Sequence, residues 1–225
     1  HTISLCDWSS DVCSSDLTSG DTKPSLRETA RLAARLHAPV YAVMGNHDFI
    51  ETAPELEAIG IRVLLNEHVV LTRGSGRIFL AGIDDPHFYC TDDMARALEG
   101  IPPGSTVLLA SHSAECYREA EDRNVDFMFN GHTHGGQICL PGGYLIFRNS
   151  RHPRAMDRGP WNTGKLRGYT SRGIGTTMVP VRYFSLPEII VHVFARNTVL
   201  EPLPQKGLAF AQRPCRDPRP ASGPV

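Results

Sequence analysis

Histidine, asparagine and aspartate side chains are concentrated in two short motifs of this 225-residue chain. The first motif is Gly45-Asn46-His47-Asp48, and the second is Gly131-His132-Thr133-His134. A further histidine, His112, follows Ser111 between them. Imidazole, carboxamide and carboxylate groups together bind first-row transition metals. With ten histidines in the chain, one His-x-His pair would mean little, but three histidine-bearing loops together predict a metal site.

Each of these loops follows an apolar run of strand length. The runs are Val40–Met44, Thr106–Ala110 and Val125–Phe129. In open α/β sheets, ligands bind beyond the carboxyl ends of the strands. If the three strands are parallel neighbours, their loops meet at one rim, which would bring together the side chains of Asn46, His47, His112, His132 and His134.

The order of these motifs resembles the calcineurin-like metallophosphoesterases over about residues 18 to 195. Further stretches are similar to the bacterial phosphodiesterase branch of that family: Leu140-Pro141-Gly142, Thr170-Ser171-Arg172-Gly173-Ile174-Gly175 and Pro180-Val181-Arg182. Some members of the branch cleave a UDP-diacylglucosamine lipid precursor, and many are tethered to the membrane by their N-terminus. The resemblance implies an α/β fold, a four-layer α/β/β/α sandwich, whose first strand is missing or replaced in this chain.

The resemblance also implies a role for each site residue. Asn46, His112 and His132 would bind one of two divalent metal ions, and His134 would bind the other. Asp21, in Gly20-Asp21, would bridge them, although a turn aspartate before a helix is the alternative. His47 would act as a general acid whose ring is oriented by Asp48. Mixed nitrogen and oxygen ligands favour manganese, iron or zinc and do not separate the three.

The beginning of the chain does not read as part of a fold. Residues 1 to 17 resemble the conceptual translation of a sequencing-library adapter, and they show neither helical nor strand periodicity. The Asp-x-His motif with which the family begins does not occur ahead of Gly20. We therefore expect a non-native segment over 1–17, a metallophosphoesterase domain over 18–202 and a disordered Pro-rich tail over 203–225.

Three functions are compatible with these motifs. The first is a phosphodiesterase that uses a dinuclear metal centre and a bridging hydroxide. The second is a phosphomonoesterase or cyclic-nucleotide phosphodiesterase of the same fold. The third is an inactive metal-binding module, because half of one metal site is absent without the Asp-x-His motif.

Apolar periodicity and turn residues predict the remaining elements. Helices are expected over Ser25–His37, Thr52–Ile59, Thr91–Leu98 with Thr91 as its cap, and Ala114–Asp122. A second sheet is expected from Tyr144–Phe147, Gly168–Thr170, Val181–Phe184 and Glu188–Phe194. The stretch Asp84-Asp85-Pro86-His87 could be a set of metal ligands, but because the matching stretch of the resembled family is structural, it is interpreted as a turn at the end of a strand.

Basic residues dominate one later segment. Seven lysines and arginines stand against the single acid Asp157 between Arg148 and Arg172. The segment is either a solvated mobile loop or an electropositive lip, in which Arg151, Arg154 and Arg158 would bind an anionic substrate or a lipid headgroup.

Charge and hydropathy limit the expected partners and location. A formal net charge of -1 does not favour a nucleic-acid partner. We expect a monomer that acts on a small or lipid-linked phosphoester, with peripheral membrane contact left open. No apolar run reaches the length of a membrane span. The expected location is the bacterial cytoplasm, because the cysteines are interpreted as free thiols or core residues of a protein in a reducing compartment, or the membrane, to which many members of the resembled branch are tethered.

Overall fold

The computed structural model describes residues 2–3, 29–31, 33–36, 38–177 and 179–194. Asp21, nearly all of the segment 1–17 and the tail 203–225 lie outside the described residues. Of the helix expected over Ser25–His37, residues 29–31 and 33–36 are described; 29–31 and 33 are helical, whereas 34–36 are not, so the helix ends before the predicted His37.

Besides the helical residues 29–31 and 33, the described residues form twelve short strands, three α-helices and two 3-10 helices. The strands are β1 (Thr2–Ile3), β2 (Val40–Ala42), β3 (Ile61–Val63), β4 (Glu67–Arg73), β5 (Gly76–Gly82), β6 (Thr106–Ala110), β7 (Phe127–Asn130), β8 (Cys139–Leu140), β9 (Tyr144–Leu145), β10 (Gly159–Thr163), β11 (Leu166–Thr170) and β12 (His192–Val193). The helices are α1 (Thr52–Ala58), α2 (Met94–Ala97) and α3 (Tyr117–Asp122), with 3-10 turns at His134–Gly136 and Arg154–Met156.

A six-stranded mixed sheet organises the fold, in the order β10-β11-β7-β6-β5-β4. Its four inner strands, β11, β7, β6 and β5, are parallel, and both edge strands are antiparallel to their neighbours. Leu80, Leu108, Leu109 and Met128 on the inner strands are completely buried. The near-continuous apolar runs of β5, β6 and β7 are typical of a parallel sheet covered on both faces. The carboxyl ends of β6 and β7 therefore lie side by side, as the sequence predicted.

Strand β2 does not join this sheet, which corrects the expectation that all three histidine-bearing loops follow neighbouring strands. It pairs in parallel with β3 instead. The β2–β3 pair packs onto the end of β5 at Gly82, where a Cβ atom would lie 2.4 Å from the Cβ of Leu64 and 2.9 Å from Cγ1 of Val43. Only glycine permits this approach without repacking. The close contact brings the loop after β2 to the same edge of the central sheet.

The later strands differ most from expectation. β11 was assigned to a second sheet but lies in the central one, parallel to β7. β9 pairs with β8, β12 pairs antiparallel with β1, and Tyr183 forms an isolated bridge with Ile138. β10 was not predicted, because Gly159 and Pro160 disfavour strands. As an edge strand it tolerates a proline, which donates no hydrogen bond to a ladder.

Two helices begin later than the sequence suggested. α2 starts at Met94, and its N-terminus is capped by Asp93, whose Oδ1 accepts a hydrogen bond from the Arg96 amide at 2.9 Å, rather than by Thr91. α3 starts at Tyr117 rather than Ala114. The preceding turn presents Glu115 towards the site described below. α1 ends at Ala58, one residue before the predicted Ile59.

Among the described residues, no helix has the length and the apolar composition needed to cross a membrane.

Candidate metal centre

Three of the predicted ligands meet at the carboxyl edge of the central sheet. Nε2 of His112 lies 2.6 Å from Oδ1 of Asn46 and 2.9 Å from Nδ1 of His132. His112 is completely buried, and His132 is 9% exposed. We refer to Asn46, His112 and His132 as the candidate metal cluster. It combines the loops after β2, β6 and β7.

The second nitrogen of His132 is held by the backbone. Its Nε2 lies 2.6 Å from the carbonyl oxygen of Asn149. A carbonyl oxygen only accepts hydrogen bonds, so we assign the proton to Nε2 and the lone pair to Nδ1. Metal-binding histidines almost always donate their other ring N–H to such an acceptor. The ring is therefore oriented with its lone pair towards His112 and Asn46.

The donor chemistry of the candidate metal cluster fits a divalent transition metal. Two imidazole nitrogens and one carboxamide oxygen lie within 3 Å of their nearest neighbours in the cluster, and this is a mixed nitrogen and oxygen set. The described residues contain no group of three or more His, Cys, Asp or Glu side chains arranged to hold a metal. Asp21, the carboxylate that the resemblance adds, lies outside the described residues.

His47 and Asp48 lie beside the cluster. His47 is exposed, yet partial burial lowers the pKa of its ring, and the nearby His112 and His87 lower it further, while Asp85 opposes them. Oδ2 of Asp48 accepts a hydrogen bond from the Gly45 amide at 2.9 Å. This bond closes the loop that carries Asn46 and His47.

His134 is buried in the same loop as His132, and both have left-handed backbone conformations. Their φ angles are 67° for His132 and 51° for His134. Non-glycine residues in this region cost free energy and are concentrated at functional sites. The carbonyl of His134 accepts hydrogen bonds from Oγ of Ser185 at 2.9 Å and from Nη1 of Arg182 at 3.2 Å. The motif Pro180-Val181-Arg182 therefore helps to hold the strained loop.

The interpretation of Asp84-Asp85-Pro86-His87 as a structural turn holds for Asp85. Its carboxylate is completely buried and accepts backbone N–H bonds from His87, Phe88 and Tyr89 at 3.0, 2.7 and 2.8 Å.

The same turn carries a residue beside the cluster, His87, which the interpretation as a structural turn had set aside. The ring of His87 packs against the ring of His132, with 4.2 Å between their centroids. A signal was present in the sequence. Asp85-Pro86-His87 follows β5 as His112 follows β6, so the strand-end rule that selected His112 applies to His87 as well.

A buried carboxylate, that of Asp157, orders the predicted basic loop, and the backbone carbonyl of the same residue attaches it to the loop after β7. Nε of Arg148 donates to both oxygens of Asp157, at 2.9 and 2.8 Å, and Oγ of Ser150 donates to one of them at 3.1 Å. The carbonyl of Asp157 accepts a hydrogen bond from Oγ1 of Thr133 at 2.6 Å. We call residues Arg148–Arg158 the basic segment. It is fixed beside the loop that carries His132 and His134.

The three arginines assigned to substrate binding have different surroundings. Arg151 and Arg154 are exposed, and Arg158 is partly buried. The guanidinium of Arg158 packs beside Gly143, where a Cβ atom would lie 2.6 Å from its Nη1. The neighbouring His152 is buried, and burial lowers the pKa of its ring despite the proximity of Asp157. Arg151 and Arg154 are therefore the two arginines of this set that face solvent.

Comparison with known sequences identifies what this chain resembles. The profile of the calcineurin-like phosphoesterases matches residues 12–136. The uncharacterized metallophosphoesterase YkoQ of Bacillus subtilis is 30% identical over 191 residues, which cover 77% of this chain and 69% of the relative. An uncharacterized metallophosphoesterase of Aquifex aeolicus is 28% identical over 194 residues, 80% of this chain and 70% of the relative. Phosphodiesterase YaeI of Escherichia coli is 27% identical over 166 residues, 68% of this chain and 57% of the relative.

Among solved structures, that of the Thermus thermophilus sulfate thiohydrolase SoxB overlaps 71% of this chain and 31% of its own, with a TM-score of 0.45 and 15% sequence identity.

Proposed function

Because this chain belongs to the calcineurin-like phosphoesterase family, and is therefore a hydrolase of phosphoester bonds, we propose that it is a metal-dependent phosphodiesterase. The observation that carries the proposal is the meeting of Asn46, His112 and His132 within hydrogen-bonding distance at the carboxyl edge of the sheet. The name of the relative YaeI, a phosphodiesterase, supports the choice of a diester.

The candidate metal cluster would hold one divalent metal ion, and Asp21 with His134 would contribute to a second. When bound, a pair of divalent metals activates water and neutralises the charge of the phosphoryl group. Manganese, iron and zinc all suit this donor set. The number and identity of the ions are part of the proposal.

The protein's own side chains supply orientation and proton transfer. The carbonyl of Asn149 fixes the ring of His132, so that its donor nitrogen is aimed without rearrangement. His47, at the mouth of the cluster, would donate a proton to the departing alkoxide. Asp48 keeps the loop that carries His47 closed through its hydrogen bond with the Gly45 amide.

The basic segment would bind the rest of the substrate. Its exposed Arg151 and Arg154 offer guanidinium groups, which pair with phosphate and other anions in a bidentate manner. A small organic or lipid-linked phosphodiester whose unreacted part is anionic would satisfy both the cluster and this segment.

The choice between diesterase and monoesterase is tested with two aryl substrates. The purified chain, supplied with manganese, is expected to hydrolyse bis-p-nitrophenyl phosphate at least about tenfold more efficiently, in kcat/KM, than p-nitrophenyl phosphate, a difference of roughly 1.4 kcal/mol in barrier. A monoester carries one more negative charge and lacks the second alkoxide. Faster hydrolysis of the monoester would reject the phosphodiesterase proposal in favour of a phosphomonoesterase.

A further inference from the structure

A single carboxylate oxygen, Oε1 of Glu115, holds two groups that lie next to the candidate metal cluster. It lies 2.8 Å from Nδ1 of His87, and it accepts a hydrogen bond from the backbone N–H of Arg151 at 2.9 Å. The side chains of His87 and Glu115 are only 9% and 8% exposed. A carboxylate at this distance acts as the acceptor, so Nδ1 of His87 is the donor and its ring orientation is fixed. Glu115 therefore links the turn after β5 to the basic segment at Arg151.

His87 connects this tie to the cluster by packing. Its ring lies against that of His132, with centroids 4.2 Å apart and planes inclined at 46°. The two nitrogens of His132 already face His112 and Asn149. His87 therefore supports the face of the His132 ring rather than meeting its donor atoms.

The basic segment has three attachments near the cluster, and they are not equivalent. Two of them run to the loop after β7, from Asn149 to His132 and from Asp157 to Thr133. The third runs from Arg151 to Glu115, in the turn after β6. Arg151 is also the exposed arginine nearest in sequence to His132's partner, Asn149. The position of its backbone relative to the cluster therefore depends on Glu115.

We propose that Glu115 is a positioning residue for substrate binding. It holds Arg151 beside His87 and the candidate metal cluster, so that the basic segment can bind the second anionic group of a phosphoester substrate. The inference rests on the proposed function and adds a substrate class to it. Glu115 touches no reacting atom and acts through His87 and Arg151. Substrates without a second anion gain little from this arrangement.

The test compares Glu115→Ala and Glu115→Gln with the control Glu119→Ala. Glu119 lies four residues further along, is 44% exposed, and pairs with Arg123 on the surface. The substrates are UDP-glucose, whose diphosphate carries two charges and is hydrolysed at its P–O–P bond to UMP and glucose 1-phosphate, and bis-p-nitrophenyl phosphate, which carries one charge and releases p-nitrophenol. Loss of a hydrogen bond to a charged group is expected to raise the KM for UDP-glucose about tenfold in Glu115→Ala. Because Glu115 also holds the His87 ring against that of His132, both substrates should lose kcat by a similar factor, and the defect is measured as the rise in the KM for UDP-glucose relative to the KM for the aryl diester.

Two further variants, Glu115→Gln and Arg151→Ser, test whether the defect comes from the lost acceptor oxygen and acts through Arg151. Glutamine keeps an acceptor oxygen at the same place, so Glu115→Gln is expected to recover most of the wild-type KM for UDP-glucose. Arg151→Ser should reproduce the defect of Glu115→Ala on that substrate, because the guanidinium itself is then missing. Equal KM changes for both substrates in Glu115→Ala would overturn the proposal.

Amide hydrogen exchange gives a readout that needs no turnover. The Arg151 amide is expected to exchange at least about tenfold faster in Glu115→Ala and at the wild-type rate in Glu119→Ala, because only the former removes its acceptor. An unchanged exchange rate in Glu115→Ala would refute the hydrogen bond between the Arg151 amide and the Glu115 carboxylate. If the wild type hydrolyses neither diester, the proposed function fails. The positioning role is then judged by the exchange rate and by calorimetric binding of inorganic pyrophosphate, which Glu115→Ala should weaken.

Discussion

Replacing His132 with alanine is expected to remove the bound metal, whereas replacing His47 with alanine should leave the metal in place and lower only the rate. His132 is within the candidate metal cluster, 2.9 Å from His112, while His47 lies at its exposed side. Loss of groups that only support a ligand weakens metal binding about 10- to 100-fold. Loss of His132 itself should therefore cost at least about a hundredfold in metal affinity.

The two variants are separated by measuring metal content and kcat together. His47→Ala should retain the wild-type metal content and lose about 10²- to 10⁴-fold in kcat, the range expected for a missing general acid. His68→Ala is a useful control, because His68 lies on β4 and its ring nitrogen bonds the carbonyl of Ala97, away from the cluster. Equal metal loss in His132→Ala and His47→Ala would mean that the two roles are wrongly assigned.

Replacing Asp157 with asparagine is expected to be the most destabilising change in the basic segment. Asp157 is 1% exposed and accepts hydrogen bonds from Arg148 and Ser150. Removing one partner of a buried ion pair leaves the other charge uncompensated and costs about 3–5 kcal/mol. Since Arg148 is 23% exposed and can partly turn to water, we expect about 3 kcal/mol, or roughly 6–12 °C in Tm.

The measurement is thermal and urea unfolding of Asp157→Asn beside Asp122→Asn. Asp122 is exposed at the end of α3, so its replacement should change the free energy of unfolding by less than about 0.5 kcal/mol. Matching midpoints for the two variants would show that the basic segment is a solvated loop, the alternative that the sequence left open.

The arrangement of the candidate metal cluster could be predicted because it depends on a few strand ends. His112 and His132 follow adjacent parallel strands, and the apolar runs of β6 and β7 were readable in the sequence. The fold class, an α/β fold of the metallophosphoesterase type, is confirmed by the family match. The roles of the individual site residues remain predictions, and Asp21 lies outside the described residues.

The order of the strands in the sheet was harder to predict than the cluster, because a sequence does not show which strand will pair with which neighbour. β2 reaches the site by packing on Gly82 rather than by joining the sheet. β11 lies next to β7 although about 35 residues and several turns separate them. Such choices depend on long-range packing, about which the local periodicity of a sequence carries no information.

Long-range hydrogen bonds also explain what was missed around the basic segment. Asp157 looked like a single acid among seven basic residues, yet it orders the segment through Arg148 and Ser150. Glu115 looked like one polar residue in a predicted helix, yet it bonds His87 and Arg151, which lie 28 and 36 residues away. The hydrogen bonds of Asp157 and Glu115 leave no periodic signal in the sequence.

The central claim, that this chain hydrolyses phosphodiesters with a metal held by Asn46, His112 and His132, is tested most directly by metal removal and return. The wild-type chain and His112→Asn are stripped with a chelator, and hydrolysis of bis-p-nitrophenyl phosphate is followed as manganese is added back. We expect the stripped wild type to be inactive and to recover with added manganese, while His112→Asn needs at least about a hundredfold more manganese or does not recover. Hydrolysis that survives chelation, or the same manganese dependence in both proteins, would contradict the account.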